Sequence, residues 1–330
     1  MSKSAFSYEL LRVDPSLEVT RICSAIRELM RTQVKRQGLV VGLSGGIDSS
    51  LTAALAVQAL GPQRVLGLEM PERHSAQETV SLSSLLAASL GISTVREDIS
   101  QTLESVGFYQ KYQDAACQVV PGYGAGWRSK IVISDLGGAG FSAFSLVAQD
   151  PDGHIVKKRI PFKPYLEIIA ATNFKQRIRK MLEYYHADRL HFAVAGTPNR
   201  LEYDQGFFVK LGDGAADIKP IAHLYKSQVY QLAEYLGVPE QIRRRKPTTD
   251  TYSLEQGQDE FYFSLPYEQM DLCLLGKNSG VAPEQVAEVL HLSAAQVEMV
   301  YRDISIKRAT TRYLHLPPLL VQEVGWQHGG

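Results

Sequence analysis

Cysteine is scarce in this sequence: Cys23, Cys117 and Cys273 are the three among 330 residues, far apart and without paired spacing. That argues against a disulfide framework, a cysteine-built zinc site and a redox pair, and it fits reduced structural thiols. Net charge is missing as well, because Lys plus Arg and Asp plus Glu both number 35. Such a balance lacks the field of a general nucleic-acid or membrane-surface binder, so neither partner is expected and any anionic ligand must be held by a local cluster. No run approaches the ~18 uninterrupted apolar residues of a spanning helix. The opening MSKSAFSYELLRVDPS has no apolar signal region, so the expected location is cytoplasmic. Repeats and low-complexity tracts are absent too. With 45% hydrophobic and 21% charged residues, the chain reads as a globular protein able to bury a large core.

What is present is an alternation of helix and strand patterns. Leu17, Val19, Ile22, Ile26, Leu29 and Met30 give residues 15–37 a helical period. The short β-branched run 39–43 then reads as a buried, parallel-type strand. A helix over 47–60, a strand at 65–68, a helix over 76–90 and a strand at 93–97 continue the series. After a helix over 165–187, another buried strand is expected at 190–195. This alternation predicts an α/β fold built on an open parallel sheet with helices on both faces. Further helices are expected over 225–236, 267–275, 283–290 and 294–308. Regularity fails over 108–162, where glycines and prolines precede two β-rich runs, 142–148 and 154–160, around the turn Asp150-Pro-Asp-Gly153. We read residues 1–330 as a single domain with a β-rich, hairpin-containing insertion at 108–162.

The most informative stretch is Ser44-Gly-Gly-Ile-Asp-Ser-Ser50, where the first strand gives way to a helix. Gly45 and Gly46 permit positive φ and close approach of a ligand. Ser44, Ser49 and Ser50 supply hydroxyls, while the helix N-terminus offers N–H groups and a partial positive charge, together a phosphate site. The position lies at the carboxyl end of a strand, where open α/β sheets bind ligands. It has neither the Lys-Ser/Thr ending of a Walker A loop nor the three-glycine dinucleotide fingerprint. Asp48 instead stands among the phosphate donors, where it would repel a polyphosphate unless a cation bridged them. Magnesium, which takes carboxylates together with phosphate oxygens, meets that need.

SGGIDSS resembles the SGGxDS signature of N-type ATP pyrophosphatases, which cleave ATP between its α- and β-phosphates to activate a carboxylate or carbonyl as an adenylate. Gly196-Thr-Pro-Asn-Arg-Leu-Glu202 and Gly206-Phe-Phe-Val-Lys-Leu-Gly-Asp-Gly-Ala-Ala-Asp-Ile-Lys-Pro220 are similar to the NAD synthetase pattern GTxNxxE followed by GxFxKxGDGxADIxP. Leu224-Tyr-Lys226 and Lys246-Pro-Thr-Thr-Asp250 continue it, and Asn173, Arg177 and Arg179 resemble the upstream NxxxRxR helix. The likeness extends over residues 15–107 and 165–315.

This resemblance implies a Rossmann-like sheet of the adenine nucleotide alpha hydrolase type. It further implies a ligase that amidates deamido-NAD with ammonia through an acyl-adenylate, releasing AMP and pyrophosphate. ATP would be bound by Ser44, Gly45, Gly46, Asp48, Ser49, Ser50, Thr197, Lys226 and Thr248. Asp48 and Glu202 would hold Mg2+, and Asn173, Arg177, Lys210, Asp217 and Lys307 would contact the substrate. Asp48, Asp213 and Lys226 are the implied catalytic residues, Lys226 because charge grows on the departing pyrophosphate. A homodimer is implied, and the early start of the synthetase pattern implies free ammonia or a separate glutaminase. His191 and Cys273 are read as structural.

Three departures fall on the substrate side. The insertion has no recognised counterpart, the GQxDExELG element survives only in part over 255–263, and Ile306-Lys307-Arg308 stands where the family has His-Lys-Arg. They leave open a paralogous amide ligase acting on a different carboxylate.

Overall fold

The computed structural model describes residues 6–75, 77–134, 143–245, 247, 252–254, 256–257, 262–263, 265–322 and 325. At its centre β1 (Leu39–Gly42), β2 (Val65–Glu69), β3 (Ser93–Arg96) and β7 (Ala193–Ala195) form a parallel sheet in the order β3-β2-β1-β7. The chain builds outward from β1 to β3 and then returns to the other side of β1. That reversal opens a crevice at the carboxyl ends of β1 and β7, the place where doubly wound sheets bind ligands.

Successive β1 residues point to opposite faces and are sealed in separate cores. Leu39 and Val41 pack with α1 (Pro15–Leu29), α2 (Ile47–Leu60), α3 (Gln77–Leu90), α8 (Lys226–Tyr235) and α9 (Glu240–Arg244). Val40 packs on the other side with α4 (Ser100–Ser105), α5 (Phe108–Cys117) and α6 (Phe162–Leu190). A further core joins α7 (Arg200–Gln205) to α10 (Tyr267–Asn278), α11 (Pro283–Leu290) and α12 (Ala294–Thr311).

The irregular stretch proves more ordered than its sequence suggests. Residues 108–117 form α5, which buries Phe108, Ala115 and Ala116. The glycines that suggested irregularity lie beyond the helix and do not interrupt it. The expected hairpin is present as β5 (Ala143–Gln149) and β6 (Ile155–Arg159), antiparallel and closed through Asp150 and Gly153. An unanticipated third strand, β4 (Arg128–Ser134), pairs with β5 along seven residues.

Two boundaries also shift. The helix expected over 15–37 leaves α geometry at Leu29, continues as a π turn over Met30–Val34 and stops at Lys35, whose φ is +53°. The strand expected at 190–195 begins only at Ala193, because α6 runs to Leu190 and His191 caps it in the left-handed region at φ +56°.

Candidate active site

The carboxyl end of β1 runs directly into the Ser44 turn. Gly45 adopts φ +67°, and a Cβ there would stand 2.8 Å from the Thr79 carbonyl, so this position requires glycine. Gly46, expected to share that role, instead caps α2 at φ −92°. Ser49 Oγ donates to the Gly46 carbonyl at 3.0 Å and lies 3.1 Å from Ser44 Oγ, and both serines line the central cavity. Ser50 does not. Its hydroxyl, like that of Ser49, donates to the Gly46 carbonyl, at 2.8 Å, but the residue is fully buried and absent from the cavity wall.

Asp48, in the first turn of α2, connects the two sides of the crevice. Its Oδ1 accepts a hydrogen bond from Asn199 Nδ2 at 3.0 Å, and its Oδ2 pairs with Lys226 Nζ. Lys226 opens α8 with its side chain buried, and Asp271 of α10 fixes that helix end by accepting from the backbone N–H groups of Lys226, at 3.1 Å, and Ser227, at 2.7 Å. Burial pushes the Lys226 ammonium toward deprotonation, but Asp48 and Glu202 together outweigh it and hold the pKa above the ordinary lysine value.

Glu202 belongs to α7 and forms a capping box with Asn199. Asn199 N donates to Glu202 Oε2 at 3.1 Å, and Glu202 N donates to Asn199 Oδ1 at 3.2 Å. Asn199 therefore contacts both implied metal ligands, a role that the Asn-x-x-Glu spacing announces as a capping box but that the sequence does not connect to Asp48. Each carboxylate oxygen carries two lone pairs, so Asp48 and Glu202, both on the cavity wall, keep acceptor capacity beside these bonds. An all-oxygen set of this kind suits magnesium.

The cavity, 460 Å³ in volume, receives its wall from several elements. Near the turn it is lined by Thr79, Val80 and Ser83 of α3 and by Ile242, Arg245 and Pro247, with Arg245 Nη2 donating to Thr79 Oγ1 at 3.2 Å. Across from it α6 contributes Tyr165, Ile169, Asn173, Gln176, Arg179 and Glu183, whose steps of three and four place them on one helical face. Thr197, Phe207, Phe208, Val209 and Asp213 complete the wall beyond β7.

Two wall carboxyls hold their protons more tightly than usual. Burial raises Asp213, whose Oδ1 accepts from Val209 N at 2.8 Å, and burial raises Glu183 even though Lys180 Nζ lies 2.5 Å away. No sequence pattern singles out Glu183 or Arg245, and Arg179 is marked only as the last position of the NxxxRxR pattern.

Several implied substrate contacts lie elsewhere in the chain. Asn173 is on the wall, but Arg177 is exposed and its Nε donates to the Lys210 carbonyl at 3.3 Å. Arg179, two residues on and hence on another side of the helix, faces the cavity and donates to the Met70 carbonyl at 3.2 Å. Lys210 Nζ donates to the Tyr313 carbonyl at 2.8 Å and to that of Leu316 at 3.3 Å, holding the chain beyond α12. Asp217 accepts from Val194 N at 2.7 Å and borders a separate small cavity with Arg36 and Asp188. Lys307 Nζ is held by Asp303 and by the Tyr262 carbonyl, each at 2.5 Å. Thr248 lies outside the described residues.

Comparison with known proteins places the chain in a family. The family model described as NAD synthase matches residues 18–125 and 151–311, skipping a stretch narrower than the 108–162 read as an insertion. The NH(3)-dependent NAD(+) synthetase of Rhizobium meliloti (strain 1021) is 57% identical over 98% of this chain and 97% of its own length. That of Mesorhizobium japonicum is 55% identical over 96% of this chain and 99% of its own length. Among solved structures, NMN synthetase from Francisella tularensis superposes with a TM-score of 0.64 at 21% identity, covering 94% of this chain and 99% of that one. NH3-dependent NAD synthetase from Campylobacter jejuni does so with a TM-score of 0.62 at 21% identity, covering 94% and 100%. These two likenesses establish the common fold. Taken with relatives more than half identical along nearly their whole length and a family match on both sides of the crevice, they make the assignment plain: the chain belongs to the NAD synthase family.

Proposed function

We propose that the chain is a carbon–nitrogen ligase that converts deamido-NAD to its amide, using ATP and ammonia and releasing AMP and pyrophosphate. The observation that carries this reading is the linked set Lys226, Asp48, Asn199 and Glu202 on one cavity wall beside the Ser44 turn. Ser44, Ser49 and the N-terminus of α2 bind the phosphates of ATP. The pyridine carboxylate attacks the α-phosphate, and Lys226 stabilises the charge that accumulates on the departing pyrophosphate. Asn173 and Arg179 orient the acid on the opposite wall, converting a bimolecular encounter into a positioned one. Ammonia then displaces AMP from the acyl-adenylate. Asp213, with its raised proton affinity, is the wall carboxylate suited to take the proton that ammonia loses. Asp48 and Glu202 are the residues that would hold Mg2+, which when bound supplies charge neutralisation at the polyphosphate.

A homodimer formed along α6 belongs to the same reading. Phe162 and Leu166 form one exposed apolar pair on this helix, and Met181 and Tyr185 form a second one fifteen residues on, with the exposed Arg177 between them. Ammonia arrives free or from a separate glutaminase. A cytoplasmic location belongs to the same reading; among the described residues no helix is long and apolar enough to cross a membrane.

A paralogous ligase acting on another carboxylate is the second reading, favoured by the substrate-side departures of the sequence, among them Ile306 where the family has a histidine. A coupled assay with ATP, magnesium, ammonium and deamido-NAD separates the two. NAD formation is expected. Turnover restricted to another acid favours the second reading, and failure to release pyrophosphate with any acid refutes both.

A further inference from the structure

The part of the chain that the family match skips, 126–150, contributes directly to the cavity. Phe144 of β5 lines it and stacks on Tyr165 of α6, with ring centroids 4.6 Å apart and planes 14° from parallel. Strand alternation puts Phe144 on the same face as Leu146 and Ala148, both fully buried, so the strand is anchored while its near end reaches the cavity. The neighbouring β4 is pinned from beneath, since Ser129 Oγ lies 2.8 Å from the hydroxyls of both Tyr112 and Tyr123.

The outer edge of β4 in turn holds a second aromatic wall residue. Ser129 N donates to Ser253 Oγ at 2.8 Å, Leu254 N donates to the Ser129 carbonyl at 3.2 Å, and Arg128 Nε donates to the Ser253 carbonyl at 2.9 Å. These bonds keep Tyr252, 5% exposed, on the cavity wall and in the same apolar cluster as Phe144 and Tyr165.

Position along α6 determines which part of a substrate can reach this wall. Arg179 is bonded at the carboxyl end of β2, on the phosphate side, and Tyr165 precedes it by fourteen residues, or ~21 Å of helix at 1.5 Å each. The reacting carboxylate must lie at the α-phosphate by the Ser44 turn, so whatever meets Phe144 and Tyr165 is the opposite end of a long substrate. We infer that Phe144 and Tyr165, with Tyr252 beside them, form a stacking subsite for the purine ring at the far end of the dinucleotide acid, an assignment that rests on the function proposed above. Aromatic side chains bind any base through its π-face, which is the chemistry this wall offers.

Steady-state kinetics of the full chain with ATP, magnesium and ammonium test this. Deamido-NAD is compared with nicotinate mononucleotide, which carries the same reacting carboxylate but lacks the purine half. Phe144→Ala and the bulk-preserving Phe144→Leu should each raise KM for deamido-NAD roughly tenfold, the scale of one lost base stack, while Phe144→Trp restores it. KM for ATP and for the mononucleotide should stay at the wild-type value in all three. An unchanged KM for deamido-NAD in a folded Phe144→Leu enzyme overturns the inference, as does an equal rise for both acids. If the wild type amidates neither acid, the parent reading fails and takes the subsite with it.

Discussion

Removing the Lys226 ammonium is the perturbation that tests the site most directly. Lys226→Met keeps an unbranched apolar stem in a slot where the side chain is 2% exposed, so packing changes little and the charge is what is lost. Its partner Asp48 is 16% exposed, retains Asn199 Nδ2 at 3.0 Å and sits in the favourable field of the α2 N-terminus. Breaking a fully buried ion pair costs about 3–5 kcal/mol, and the remaining partners and partial hydration of Asp48 reduce this to about 1–3 kcal/mol of folding stability. The loss of activity should be larger. Preorganised charge aimed at a leaving group contributes about 2.7–4 kcal/mol, a fall of ~10²–10³ in kcat. Because the folded pKa of Lys226 is raised, the pair's contribution is complete below the ordinary lysine value of 10.5 and is lost as pH rises through the folded value. The stability deficit should therefore be constant through neutral pH and narrow only in strong alkali. Pyrophosphate release measures kcat, and urea unfolding measures stability, for Lys226→Met, Asp48→Asn and the double variant. The paired groups touch, so the two single effects on stability should fail to add by about 0.5–3 kcal/mol. A folded Lys226→Met enzyme with kcat within about tenfold of wild type would refute the assigned role, and strict additivity would refute the coupling.

Asp271 and Ser50 offer two further tests. Burial pushes the Asp271 carboxyl up to about 6 from 3.8, so its contribution to stability is complete below pH 3.8 and is lost as pH rises through about 6. At 1.36 kcal/mol per unit this is ~3 kcal/mol, and Asp271→Asn removes the slope; wild type should lose that amount relative to the variant between acid and neutral pH in urea melts, whereas parallel curves would contradict it. Ser50→Ala should leave KM for ATP unchanged, because the fully buried residue does not reach the cavity wall, while Ser44→Ala at that wall should raise it; equal effects at both positions would contradict the geometry of the turn.

Local chemistry made much of the architecture legible. The periods of β1, α2, β2 and α3 are short-range properties, and so is the glycine and serine content of the turn between β1 and α2, so both are readable without any knowledge of neighbours. The turn at Asp150 to Gly153 was equally visible, because its residues favour it whatever surrounds them. By contrast, α5 and β4 were hidden in a stretch whose glycines and prolines attract notice but lie between the elements.

The sequence by itself determined the kind of chemistry: a serine-lined anion turn, the two carboxylates Asp48 and Glu202, and Lys226 at a helix start. Which side chains share one cavity was decided only by tertiary structure. Helix α6 buries residues on several sides, from Ile168 and Lys175 to Lys180 and His186, so no single apolar stripe tells Arg177 from Arg179. The bridge from Asn199 to Asp48 spans 151 positions of chain and exists because β7 lies beside β1, a pairing that no local pattern encodes. For the same reason Lys210, Asp217 and Lys307 carry fitting charges yet meet backbone carbonyls, a strand N–H and a neighbouring carboxylate, since long-range packing sets where a side chain can reach.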